Sequence, residues 1–382
     1  MNRRDFLQYA SLATMGSLIP GLSPAANPNR TGRVLVLIHL KGGNDGFNSL
    51  VPYHDQHYYD LRPKIAIQER SLIKLDEKFG MHPQLQQLMP LWKKKQMAWL
   101  QGVGYAHSPL SHFQSLDIWE SASINDYSKG WLSQVVPHIK KGLHGIIIDD
   151  GVEGGGVMRG SQMNVVTMKN PRSFIKAAER IDDVPVNKRN PAIAHVTSVQ
   201  HQLYEVGRQI EEKVGSNPRP VPGKYVGELG HGLQAVAQMI LSGVDAPVYK
   251  VVQKGFDTHA SQLDLQNNAL YQLASGVSSF ARVMQQSGLW NKVLVVTYSE
   301  FGRRAAENRG GGTDHGTASA HMVFGGSVKG GIYGKHPDMS RLNASGNVLP
   351  IADFRSMYGT IAQRWWHQGN PWQQYGTMPF LG

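Results

Sequence analysis

Val34-Leu35-Val36-Leu37-Ile38, running on into Lys41-Gly42-Gly43, is the stretch on which the fold turns. It has no polar alternation, which suits a strand buried on both faces and followed by a tight glycine loop. Runs of the same kind recur at Met97–Val103, Gly145–Ile148, Val248–Val252 and Val293–Thr297. Helical patterns lie between several of them, at His195–Lys213, Leu229–Leu241 and Leu263–Gly288. Such alternation predicts an α/β fold with a mostly parallel sheet covered on both faces. In sheets of this kind functional groups gather in the loops beyond the carboxyl ends of the strands.

The middle of the chain is less regular. Residues 151–224 hold Gly154-Gly155-Gly156 and the proline-rich Asn217–Pro222, and they read as a partly helical insertion in one domain spanning residues 26–382. Proline fixes φ and stops helix continuation, so Asn217–Pro222 is expected to be a stiff connector. At the start, Arg3 and Arg4 precede an apolar stretch from Tyr9 to Leu22 and the small residues Ser23-Pro24-Ala25. That order is a twin-arginine export signal over residues 1–25, with cleavage after Ala25. It places the working protein in the periplasm or outside the cell. The apolar run is too short for the roughly 30 Å of a bilayer core, and later runs are interrupted by polar residues, so no integral membrane segment is expected after signal removal.

Cysteine is absent. This excludes a disulfide framework and thiolate ligation, so any metal must be held by His, Asp, Glu or Asn. The formal charge is +11, and residues 1–25 carry two arginines and one aspartate, so the mature chain keeps +10. A basic balance favours anionic partners, but the bases are scattered, and no nucleic-acid partner is expected. No strand–Gly-x-Gly-x-x-Gly–helix unit supports a dinucleotide cofactor.

Four clusters follow predicted strands. In Gly42-Gly43-Asn44-Asp45-Gly46-Phe47-Asn48, Asp45 and Asn48 offer hard oxygen donors; the alternative is an Asx-rich turn. In His107-Ser108-Pro109-Leu110-Ser111-His112-Phe113, Ser111 beside His112 suggests a nucleophile or ligand pair, against a plain helix cap by Ser108 or Ser111. In Gly255-Phe256-Asp257-Thr258-His259, two side chains two residues apart point the same way in extended backbone, which suits a shared metal ion or a hydrogen-bonded catalytic pair rather than a surface turn. The fourth joins Ser299-Glu300-Phe301-Gly302-Arg303 to Gly310-Gly311-Gly312-Thr313-Asp314-His315-Gly316. There Glu300, Asp314 and His315 are expected to complete a cage with Asp257 and His259, and Arg303 to grip an anion through both nitrogens. The bland alternative is a loop held by ion pairs from Arg303 to Glu307 or Asp314.

At these residues the chain resembles the family known as domain of unknown function 1501, twin-arginine-exported proteins of the alkaline phosphatase and sulfatase superfamily. The carriers are Lys41-Gly42-Gly43-Asn44-Asp45-Gly46, Arg62-Pro63, His82-Pro83, Ser111-His112-Phe113, Gly130-Trp131-Leu132, Asp257-Thr258-His259, Ser299-Glu300-Phe301-Gly302-Arg303 and Gly312-Thr313-Asp314-His315-Gly316, across essentially the whole mature chain. The resemblance implies an alkaline phosphatase-like, three-layer α/β/α sandwich with a mostly parallel central sheet. It implies a divalent metal ion, with zinc, calcium and magnesium not distinguished, held by Asp45, Asp257, His259, Glu300, Asp314 and His315. Ser111, His112 and Arg303 are the implied catalytic group, with Ser111 as nucleophile. The reaction implied is hydrolysis of a phosphate or sulfate ester, with an anionic small molecule or a sulfated or phosphorylated polymer as substrate. One departure bears on this: the superfamily has Asp-His-Gly where this chain has Glu300-Phe301-Gly302, which costs the site one imidazole. The alternative is a catalytically depleted exported partner of a protein encoded nearby.

Overall fold

A computed structural model describes residues 32–137, 142–149, 155–160, 162–181, 190–215 and 221–382. The expected signal, residues 1–25, and the connector up to Pro220 lie outside the described residues. The principal elements are β1 (Val34–Leu40), β2 (Met97–Gly104), α1 (His112–Ser121), β3 (Gly145–Ile148), β4 (Val165–Met168), α2 (Pro171–Ala178), α3 (Pro191–Val214), α4 (Gly227–Leu241), β5 (Val248–Gln253), α5 (Gln262–Gln286), β6 (Val293–Tyr298), β7 (Ala318–Gly325), β8 (Gly331–Tyr333), β9 (Ala352–Asp353) and α6 (Arg355–Thr360).

The strands form one sheet in the order β8-β2-β7-β6-β1-β5-β3-β4, with β9 also beside β2. Pairing is parallel along β6-β1-β5-β3-β4 and from β2 to β8 and β9. Only β7 runs against its neighbours, antiparallel to both β2 and β6. β1 lies mid-sheet, which is why it is apolar on both faces. Alternate residues obey the strand period of two: Val36, Ile38 and Leu40 join the core under α4 and α5, while Leu35 and Leu37 join the core under α1 and α6. Helices on both faces make this a three-layer α/β/α sandwich. Each buried Leu, Ile or Val contributes about 1.5–3 kcal/mol, so a charge in mid-β1 would disrupt whichever of the two cores its side chain enters.

The stretch expected as an insertion, residues 151–224, carries α2 and α3, and it also supplies the edge strand β4, paired with β3 through Val165, Val166, Thr167 and Met168. Helix α3 starts where Asn190 accepts hydrogen bonds from the Ala192 and Ile193 amides ahead of its core-facing Val199, Leu203, Val206 and Ile210.

Parallel pairing brings the carboxyl ends of β1, β5 and β6 to one edge, with His39 beside Tyr298 and Leu40 beside Gln253. Gly42 and Gly43, at φ 118° and 81°, then turn the chain tightly over that edge. A Cβ on Gly42 would lie 2.2 Å from the Asp257 amide nitrogen, and one on Gly43 would lie 2.5 Å from the Phe301 ring. Glycine is therefore required here for close approach as well as for backbone angle.

Candidate metal centre at the carboxyl rim

The loops beyond β5 and β6 and the start of α1 bring His112, Asp257, His259, Glu300, Asp314 and His315 together. His112 is the first residue of α1. His315 opens a two-residue strand that pairs Arg303 with His315 and so folds the glycine-rich loop back onto the β6 exit. The two-residue spacing of Asp257 and His259 has the expected result, with His259 Nε2 3.1 Å from Asp257 Oδ1. His315 Nε2 lies 3.3 Å from the same oxygen, and His112 Nε2 lies 3.4 Å from Asp257 Oδ2. Ligand atoms of His112, Asp257 and His315 all fall within 4.8 Å of one another, a geometry that can hold a metal ion.

The tautomers follow from the partners. His112 Nδ1 is 2.7 Å from Glu300 Oε1, which only accepts, so that nitrogen carries the proton. His315 Nδ1 donates to the Leu110 carbonyl at 2.8 Å, and His259 Nδ1 faces Asp314 Oδ1 at 3.5 Å. All three Nε2 atoms face Asp257, and those of His259 and His315 are 3.0 Å apart. Imidazoles held at Nδ1 by an acceptor are the usual outer support of metal ligands.

Glu300 stands behind this centre. Its carboxylate is buried and accepts from His112, from the Gly42 amide at 2.9 Å, from His39 Nε2 at 3.2 Å and from Ser299 Oγ at 3.4 Å. Burial alone would push its pKa up, but the hydrogen bonds from His112 and His39 hold it far below the usual carboxylate range. The same bond raises the pKa of His112. Burial also works against ionisation of Asp257, yet Arg303 brings its pKa below normal. His315 is lowered chiefly by burial, which favours its neutral form. Asp314 is lowered first by the hydrogen bond from Asn308. Phe301 lies against the rings of both His112 and His315, at 4.9 and 4.3 Å between centroids, and braces them.

Two expectations need correction. Asp45 does not reach the cage: Oδ1 accepts from the Phe47 and Asn48 amides, and Oδ2 accepts from Arg62 Nη1 at 2.5 Å and Gln262 Nε2 at 2.5 Å. Its carboxylate is saturated and buried, so no lone pair is left for a metal. Nor does Arg303 hold both nitrogens free for an anion. It is buried and bonds the carbonyls of Gly43, Thr313, Gly42 and Phe256 and the Asp257 carboxylate. It pins the three loops together and positions Asp257. Arg304, not Arg303, faces Asp314, at 3.5 Å, and Glu307 accepts from the Lys64 and Ile65 amides. Ser111 is exposed in the residue preceding α1, and its side chain makes no capping bond.

Sequence reasoning gave no role to His39, Arg62, Gln262, Asn308 or the Leu110 carbonyl. Two of them left a signal: His39 as an imidazole inside an otherwise apolar strand, and Arg62 as one of the residues that carry the family resemblance.

A family model described as a protein of unknown function, DUF1501, matches residues 175–367, just over half of the chain. That span holds Asp257, His259, Glu300, Arg303, Asp314 and His315. No curated protein sequence matches. Among solved structures, the chain is similar to the lipoteichoic acid synthase LtaP from Listeria monocytogenes, at 10% identity over 81% of this chain and 72% of that one, with a TM-score of 0.35. It is similar to a protein in the alkaline phosphatase superfamily from Vibrio parahaemolyticus, at 11% identity over 100% and 76%, with a TM-score of 0.34. It is also similar to the PsFucS1 sulfatase from Pseudoalteromonas sp., at 11% identity over 78% and 64%, with a TM-score of 0.35. Scores at this level describe a distant likeness of shape and say nothing about chemistry.

Proposed function

We propose that this chain, which belongs to the DUF1501 family, is an exported metal-assisted hydrolase of a phosphate or sulfate ester, working at the rim formed by His112, Asp257, His259 and His315. The observation that carries the reading is the convergence of three imidazole Nε2 atoms on one carboxylate. Three nitrogens and one oxygen suit a borderline cation such as zinc better than calcium or magnesium, which prefer all-oxygen sites. Such a cation supplies Lewis-acid polarisation of a nonbridging ester oxygen. The chain does the rest. Glu300 fixes the His112 ring, Arg303 fixes Asp257, Asp314 fixes His259, and Ser111, next to His112, is the proposed nucleophile. Export through the twin-arginine signal and a periplasmic or extracellular location belong to the same proposal. No helix among the described residues is long and apolar enough to cross a membrane.

The saturated Arg303 and the apolar Phe301 ring favour a second reading, in which the chain is a catalytically depleted exported partner of another protein. One experiment separates the two. The purified protein is assayed for bound metal and for turnover of aryl phosphate and aryl sulfate, alongside Asp257→Ala, His315→Ala and Ser111→Ala. The hydrolase reading expects stoichiometric metal in the wild type, lost in the first two variants, and turnover abolished by Ser111→Ala with metal retained. A wild-type protein that binds no metal and turns over neither ester sinks it and leaves the partner reading.

A further inference from the structure

Between β2 and α1 the chain passes the rim in residues 105–111, which belong to no helix or strand. Two of them, His107 and Leu110, hold φ at 59° and 55°. Left-handed backbone crowds Cβ against a carbonyl oxygen in every L residue, and histidine enters it more readily than leucine does. The Leu110 side chain gives no reason for the conformation, since it belongs to none of the hydrophobic clusters among the described residues. Its carbonyl does: it accepts from His315 Nδ1 at 2.8 Å. Among the described residues, no backbone hydrogen bond joins residues 106–110 to another segment, so this side-chain bond is what ties the loop to the metal site. Rotation of Leu110 to negative φ would swing that carbonyl off the ring, together with the Ser111 amide in the same planar peptide.

We propose that Leu110 is a positioning residue of the metal centre: its left-handed backbone presents the carbonyl that orients His315, and His315, once it holds metal, fixes the loop that carries Ser111. This rests on the metal-binding part of the hydrolase reading. An acceptor at Nδ1 sets the plane of the His315 ring and leaves Nε2 facing Asp257 at 3.3 Å. In return the ring holds the peptide just ahead of Ser111 and, one residue further, of His112. The His112 and His315 rings meet edge-on at 4.6 Å between centroids, so the same short stretch of backbone sets two of the imidazoles against each other. Coupling of this kind is reciprocal: whatever the loop adds to metal affinity, bound metal returns as order in the loop.

The test titrates zinc, against a competing chelator, into the full-length wild type and into Leu110→Gly, Leu110→Asn and Leu110→Val. Amide exchange of residues 105–111 is followed by mass spectrometry with and without zinc. Glycine and asparagine accept left-handed backbone, whereas a β-branched residue resists it. Leu110→Gly and Leu110→Asn are therefore expected to keep the wild-type affinity, and Leu110→Val to lose roughly 10- to 100-fold, the usual loss when the outer partner of a ligand is removed. A packing role for the side chain would give the opposite order, because valine keeps more apolar surface than glycine or asparagine. Zinc is expected to slow exchange across the segment in the wild type, and less in Leu110→Val. Equal affinity in all four proteins, losses in Leu110→Gly and Leu110→Asn as large as in Leu110→Val, or wild-type exchange that zinc leaves unchanged overturns the assignment and leaves the hydrolase reading intact. A wild type that takes up no zinc overturns both. Should Leu110→Val not fold, the wild-type exchange comparison decides alone.

Discussion

Two acidic clusters sit at the same edge of the sheet, built from the same kinds of residue, and they differ in what is left over. Around Asp45, Arg62, Gln262 and two backbone amides consume every carboxylate lone pair, and both Asp45 and Arg62 are fully buried. Around Asp257, three imidazoles turn their Nδ1 atoms to outer acceptors and their Nε2 atoms to the carboxylate, with His259 and Asp257 about half exposed. The first is a closed structural joint; the second is open to water. A carboxylate in the right loop is thus not yet a ligand: whether its lone pairs are already taken decides.

The comparison breaks most sharply by truncation. Asp45→Ala strands the buried Arg62 charge and should cost about 3–5 kcal/mol in urea unfolding, with metal content per folded molecule unchanged. His259→Ala should stay within about 1 kcal/mol of wild type in stability. It should nonetheless weaken metal binding in a competition titration. Metal loss in Asp45→Ala, or none in His259→Ala, would erase the distinction.

A finer cut comes from Glu300→Gln, which keeps the shape but removes the charge behind His112. Loss of such outer support costs roughly 10- to 100-fold in metal affinity. An unchanged affinity would mean that His112 is held by packing against Phe301 alone.

The smallest effect concerns protons rather than metal. His321 on β7 is fully buried with neither ring nitrogen hydrogen-bonded, and burial depresses its pKa to about 3; burial likewise depresses His82 to about 4. Above the unfolded value of about 6.5 these rings are neutral in both states and stability is unaffected. As pH falls below it, the unfolded chain takes up protons that the native state refuses. Stability then drops by about 1.4 kcal/mol per pH unit for each ring until the folded pKa is reached. His321→Leu should therefore flatten the fall in Tm between pH 6 and pH 4; an unaltered slope would show that the ring is protonated in the native state.

Particular elements show what could be read in advance. β3 has the expected limits, Gly145–Ile148, and β1, β5 and β6 extend the expected runs by one or two residues, because an unbroken apolar run is a local signal that central strands must carry. β7 was not foreseen, since Ala318-Ser319-Ala320-His321 looks like loop; it is buried because β2 and β6 close on both sides of it. β4 was hidden inside a stretch expected to be an insertion. At the site the residue types were legible, but the partners were not: Arg62 reaches Asp45 across 17 positions, and Glu300 meets His112 across 188.

The amino-acid order by itself determined the layered α/β architecture and the rim at which the candidate residues gather, because burial patterns and strand ends are properties of contiguous residues. Only the tertiary structure decided which donors remain unsatisfied. The Phe47 and Asn48 amides meet Asp45 within one turn, but the bonds that complete its saturation come from Arg62 and Gln262, and no short window of the chain contains both halves of those.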